Sequence, residues 1–101
     1  MSLIHLEGDV CPDVAALFVE QLAQLHTEDA PVTVDLSEAE VVDAATCALL
    51  VDALRQTARR LGGLQLLEPP QVLAHGLYRV GALEGGTLHL VSPREELGTS
   101  S

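Results

Sequence analysis

Apolar residues recur along this chain with two different periods, and the switches between them divide it into elements. Leu3–Leu6 (Leu-Ile-His-Leu) alternates loosely and stops at Glu7-Gly8-Asp9, which predicts a short strand followed by a turn. Pro12 suits the first turn of a helix, where its missing N–H costs nothing. Val14, Leu17, Phe18, Leu22 and Leu25 then recur at helical spacing, opposite Asp13, Glu20 and Gln24. The polar stretch His26–Ala30 and Pro31 end that helix. Val32-Thr33-Val34-Asp35-Leu36 alternates and is β-branched, so it predicts a strand, with Ser37–Glu40 as a turn and Val41-Val42 briefly extended.

Asp43 stands where a helix cap belongs, with a carboxylate able to accept N–H bonds from the first turn. The stretch after it is the most clearly amphipathic in the chain. Cys47, Leu50, Val51, Leu54, Ala58 and Leu61 share one face, while Asp52, Arg55, Gln56, Arg59 and Arg60 point elsewhere. Arg59 and Arg60 fall in the last turn, where cations favour the carbonyl end, and Gly62-Gly63 closes the helix. Leu64–Glu68 reads as a strand, Pro69-Pro70 as the start of a short helix through about Val80, and Thr87–Val91 as a last strand. The order β-α-β-α-β-α-β implies an α/β fold: a small domain with a mixed four-stranded sheet and about three helices packed on it. Residues 1–92 are expected to form one domain and 93–101 a flexible tail.

Composition narrows the function. The chain has 101 residues and a formal charge of −10, from fifteen acidic residues against five arginines, with no lysine. Such a surface repels phosphate backbones and anionic headgroups, which argues against nucleic-acid binding and membrane insertion. Without lysine there is no Schiff-base chemistry, no phosphate-loop lysine and no receiver-type phosphotransfer. Hydrophobic residues make up 48% and aromatics only 2%, so the core is aliphatic. No apolar run reaches the roughly twenty residues of a membrane span. Cys11 and Cys47 are too few and too far apart for a disulfide framework or thiolate metal site, and read as small buried hydrophobes. With no basic region or long apolar stretch at the start, a cytoplasmic location is expected.

Little in the chain suggests catalysis. His5, His26, His75 and His89 never fall at the close spacings that converging zinc ligands use. No GxSxG, GxxxxGK or GxGxxG motif is present. The carboxylates Asp35, Glu38, Glu40 and Asp43 gather at a predicted strand end, where an α/β fold can hold Mg²⁺. A cap role for Asp43 and a solvated turn for Glu38 and Glu40 account for them more simply. The expectation is a protein that is not an enzyme and carries no cofactor or metal.

The segment Val32–Leu50 resembles the STAS domains, found in anti-anti-sigma factors and in transport-linked bacterial proteins. In that family a strand ending in Asp-Leu-Ser leads through a short loop to an apolar pair, an Asp, a Ser or Thr, and a helix. Asp35-Leu36-Ser37 and Val41-Val42-Asp43 match in type and spacing. The resemblance continues through Leu61-Gly62-Gly63 and Leu77–Leu83, covering roughly residues 3–92 and lacking the family's usual first strand. It implies a module that docks on a protein partner and is switched by phosphorylation of the hydroxyl directly after the Asp. Here that position is Ala44, and Thr46 is the nearest hydroxyl.

The partner-binding surface the resemblance implies comprises Ser37, Asp43, Ala44, Thr46, Ala48, Asp52 and Arg55, small side chains rimmed by charge. Two partner classes follow from it: an anti-sigma factor or related serine kinase, and the ATPase of a phospholipid-transporting ABC complex. The run Asp43–Leu50 is similar to that of the ABC complex's short STAS subunit, without its hydroxyl. A different class, a sensor holding a small apolar ligand in the aliphatic interior, is the alternative.

Overall fold

Among the described residues, strand and helix alternate without a hairpin, and that alternation dictates the sheet. The computed structural model describes residues 2–91, so the tail expected over 93–101 lies outside the described residues. The elements are β1 (Ser2–Val10), α1 (Pro12–Ala23), a single 3-10 turn (Thr27–Asp29), β2 (Val32–Val41), α2 (Ala44–Leu61), β3 (Leu64–Leu67), α3 (Gln71–Arg79) and β4 (Leu88–Val91). Strand order follows chain order, β1-β2-β3-β4. Each neighbouring pair is parallel. The sheet is thus wholly parallel rather than mixed, because every strand returns through a helical crossover and none through a hairpin. Right-handed crossovers that all step in one direction place the three helices on one face. Accordingly α2 lies between α1 and α3 and rests on β2, β3 and β4.

The buried residues come from that one face. Val32, Val34 and Leu36 of β2, Leu64 and Leu66 of β3, and Leu88 of β4 meet Phe18 and Leu22 of α1, Leu50, Leu54, Ala58 and Leu61 of α2, and Leu73 and Leu77 of α3. The opposite face carries Leu3, His5, Thr33, Asp35, Gln65 and His89 at alternating, partly or fully exposed positions. On α1 the buried stripe is Ala15, Phe18 and Leu22, while Leu17, expected inside, is 65% exposed. Ala15 and Leu22 lie within about 60° of Phe18 around the helix, whereas Leu17 lies about 100° away on the other side. On α2 the expected face holds throughout, with Thr46 and Thr57 also buried.

Two strands run further than the sequence suggested. Glu7-Gly8-Asp9 is not a turn: it continues β1 to Val10. Likewise Ser37–Glu40 is part of β2, which runs unbroken to Val41. The register explains why. His5 pairs with Asp35 but Glu7 with Glu38, so β2 carries one extra residue there, a bulge. The bulge restores the in-out alternation, placing Ala39 and Val41 beside the core and Glu38 and Glu40 outside. Asp35 stabilises it by accepting both the Ser37 N–H (3.0 Å) and the Ser37 hydroxyl (2.7 Å) on Oδ1.

Candidate functional site

The start of α2 is fixed by its cap. Asp43 is extended (φ −147°, ψ 161°) and its Oδ1 accepts the Thr46 N–H at 2.6 Å. That bond, satisfying one of the free N–H groups of the first turn, holds the Asp43 carboxyl below the ordinary carboxylate range. At the other end Gly62 takes the left-handed conformation (φ 78°) that lets the chain leave a helix without a Cβ penalty.

From the cap, Ala44, Ala48, Asp52 and Arg55 follow one another at three- and four-residue spacing along α2. They form one wall of a groove of about 530 Å³ whose other wall is α3. Val72, His75, Arg79 and Val80 come from that side, and Cys47, Val51 and Gly76 lie between. Gly76 lies where the helices meet: a Cβ there would stand 3.0 Å from Val51 Cγ2, a tight contact that Val51 would have to relieve by shifting a few tenths of an ångström. Asp52 is held by its own helix, its Oδ1 accepting from Arg55 Nη2 (3.0 Å) and its Oδ2 from Gln56 Nε2 (2.9 Å). The Cys47 thiol faces the Val72 carbonyl at 3.7 Å, and burial pushes its pKa up, which keeps it protonated and poorly nucleophilic.

Of the residues expected at a partner surface, the structure brings Ala44, Ala48, Asp52 and Arg55 together on the groove, with Asp43 at its head. Thr46 departs from that expectation. It is only 2% exposed, and its buried hydroxyl makes no well-aligned hydrogen bond, standing near the Asp43 carboxylate instead of at the surface. Two residues beyond Ala44, it has turned roughly 200° around the helix and faces the interior. Ser37 departs too. Because residues 37–41 are strand rather than loop, Ser37 sits about 13 Å of extended chain before Val41. The α3 half of the groove was not anticipated: His75 read as an isolated histidine, and the only signal was the helical spacing of Val72, His75 and Arg79.

The carboxylates weighed as a Mg²⁺ site are arranged differently from that expectation. Asp43 is committed to its cap, and Asp35 to Ser37 and to His5, whose Nδ1 lies 3.1 Å from Asp35 Oδ2. Among the described residues, the group whose ligand atoms converge (within 4.8 Å) is His5, Glu7 and Glu38, all exposed on β1 and β2. The His5 imidazole is held between Asp35 and Glu7 (3.5 Å), chiefly through the Asp35 bond, which raises its pKa and favours the cation. The contacts of His5 with Asp35 and Glu7 thus account for the grouping as a cross-strand polar cluster on the exposed face of the sheet.

Among the described residues, no helix is long and apolar enough to cross a membrane. A comparison with curated proteins finds no match. The family model described as Mlab, STAS domain, matches residues 1–92, nearly the whole chain. That match agrees with the parallel α/β layer and the capped α2 helix, and the chain belongs to the STAS domain family, a class of protein-interaction modules.

Proposed function

We propose that this chain is a non-catalytic docking module that regulates a protein partner through the exposed side of α2, beginning at Ala44. The observation that carries the reading is the conjunction of a firmly capped helix start with a small-residue stripe, Ala44 and Ala48, exposed on the surface. Small side chains admit a partner's backbone, while Asp52 and Arg55 at the edge orient it. In the family this surface is switched off by phosphorylation directly after the capping Asp. Alanine at 44 has no hydroxyl to accept the group, so the surface stays in the binding-competent state.

The partner is an anti-sigma factor or related serine kinase, in the manner of the anti-anti-sigma factors. A second reading, an accessory subunit of a phospholipid-transporting ABC complex, is favoured by the Asp43–Leu50 run, which forms the cap and first two turns of α2. Affinity capture from native extract with the full chain, followed by mass spectrometry, separates the two. Recovery of a kinase-like anti-sigma factor supports the first, and an ABC ATPase with its permease the second. The Ala44→Glu variant is expected to lose that partner while keeping its melting temperature. Capture of the same partner by the variant would place docking elsewhere.

A further inference from the structure

Positive charge is scarce in this molecule, and most of it is gathered in one place. The described residues hold four arginines against thirteen carboxylates. Arg60 is spent on α1, donating to the Leu22 carbonyl at 2.6 Å and to the Leu25 carbonyl. Arg55 and Arg79 line the groove between α2 and α3, and Arg59 joins Arg55 on the adjoining cleft, which also holds Glu84. Only one of the thirteen carboxylates, Asp52, lines the groove; it pairs with one Nη of Arg55 and accepts from Gln56, which leaves Arg79 unopposed among the described residues and Arg55 with its remaining N–H donors. The walls between these charges are aliphatic, and two of their residues, Val72 and Val80, are 52% and 51% exposed.

The groove also has direction. At one end stand Ala44 and the capped start of α2; eleven residues on, at the other, stands Arg55, with Arg79 opposite on α3. That is a length of about 16 Å, or three helical turns. Both walls are ridges of helical side chains, the form of surface into which an amphipathic helix lays its apolar stripe.

We infer that this groove receives an amphipathic helix of the partner protein whose aliphatic stripe ends in carboxylates, which pair with Arg55 and Arg79. The inference rests on the docking reading above and adds the chemistry of what docks. Aliphatic side chains fill the space along Ala48, Val51 and Val72. The carboxylates fix the helix's direction, because Arg55 and Arg79 stand together at one end of the groove.

The test is a display library of helical 15-residue segments, selected at low salt against the full chain. Enriched segments are expected to carry Leu, Ile or Val at i, i+3 or i+4, and i+7, with Asp or Glu beyond one end. Their affinity should fall about tenfold or more for the Arg79→Glu variant and for R55E/R79E, both checked by circular dichroism to be folded. Lysine replacements of those acids should restore binding to R55E/R79E. Absence of enrichment, enrichment without acids, or equal binding to the variants overturns the inference. So does exclusive occupancy by decanoate, which would assign the groove to a small carboxylic acid. If Ala44→Glu abolishes partner capture but R55E/R79E does not, docking at α2 stands and the helix chemistry falls. If Ala44→Glu leaves capture intact, the docking reading itself has failed.

Discussion

Thr46 shows how much a single side chain decides at the head of α2. Its hydroxyl is sealed from solvent and makes no well-aligned hydrogen bond, its nearest help being the Asp43 carboxylate whose pKa it joins in lowering. A buried polar group so poorly served costs the folded protein its hydration. Thr46→Val keeps the branched shape and removes that oxygen. We expect it to raise stability by about 1 kcal/mol in urea denaturation, and a loss of stability would mean that the hydroxyl has a partner. The same burial bars a kinase from Thr46 while the domain is folded. The Asp43 cap was legible in the sequence because capping is local chemistry, decided by a residue and the N–H groups three positions on. The inward turn of Thr46 was not, because it depends on which side of α2 meets the core. Leu17 carries the same lesson: its spacing fits an apolar stripe, yet a rotation of the helix leaves it in water.

At the scale of elements, the length of β1 and β2 rests on a few exposed pairings. His5 bridges the two strands through Asp35, and Asp35 holds the bulge through Ser37. His5 is raised above its ordinary value of about 6.5, so its contribution is complete below that value and disappears as pH rises through the raised one. Asp35 is lowered, chiefly by the Ser37 hydroxyl, so its contribution is complete above the ordinary carboxylate value and disappears as pH falls through the lowered one. Between the two, the charged forms of both groups are favoured. The melting-temperature gap between wild type and His5→Gln is therefore expected to be larger at pH 6 than at pH 8.5, and to shrink in high salt because both groups face water. A gap independent of pH would remove the ion pair from the account.

Arg60 plays a comparable part on the helical layer. The last turn of α1 has no basic residue of its own, and Arg60 of α2 supplies a cation to the carbonyls at its end. Arg60→Ala is expected to cost about 1 kcal/mol and to speed hydrogen exchange at Leu22–Leu25, with little change in α3. The helices and the strand cores were legible because their periodicity is regular. The strand extensions were hidden because Glu7-Gly8-Asp9 and Ser37–Glu40 have the composition of turns, and a bulge shifts the alternation by one residue.

For the whole molecule, one-directional crossovers divide the surface into two unlike sides. The sheet's open side carries the His5–Asp35 pair beside the acidic extensions of β1 and β2, while α2 and α3 present the aliphatic groove with its arginines. Half of that groove, the α2 stripe, could be named from the sequence. The α3 half could not, since its pairing with α2 brings Gly76 against Val51, a contact twenty-five residues apart that no local pattern encodes. The central claim is that the α2 side is where a partner sits. It is tested most directly by titrating the captured partner against the wild-type chain, against Ala44→Glu, and against Asp13→Ala on α1 as a control. Burying an unpaired carboxylate at the contact should weaken binding by about thirtyfold or more, while the Asp13 control binds as wild type does. Equal affinity for wild type and Ala44→Glu would contradict the claim.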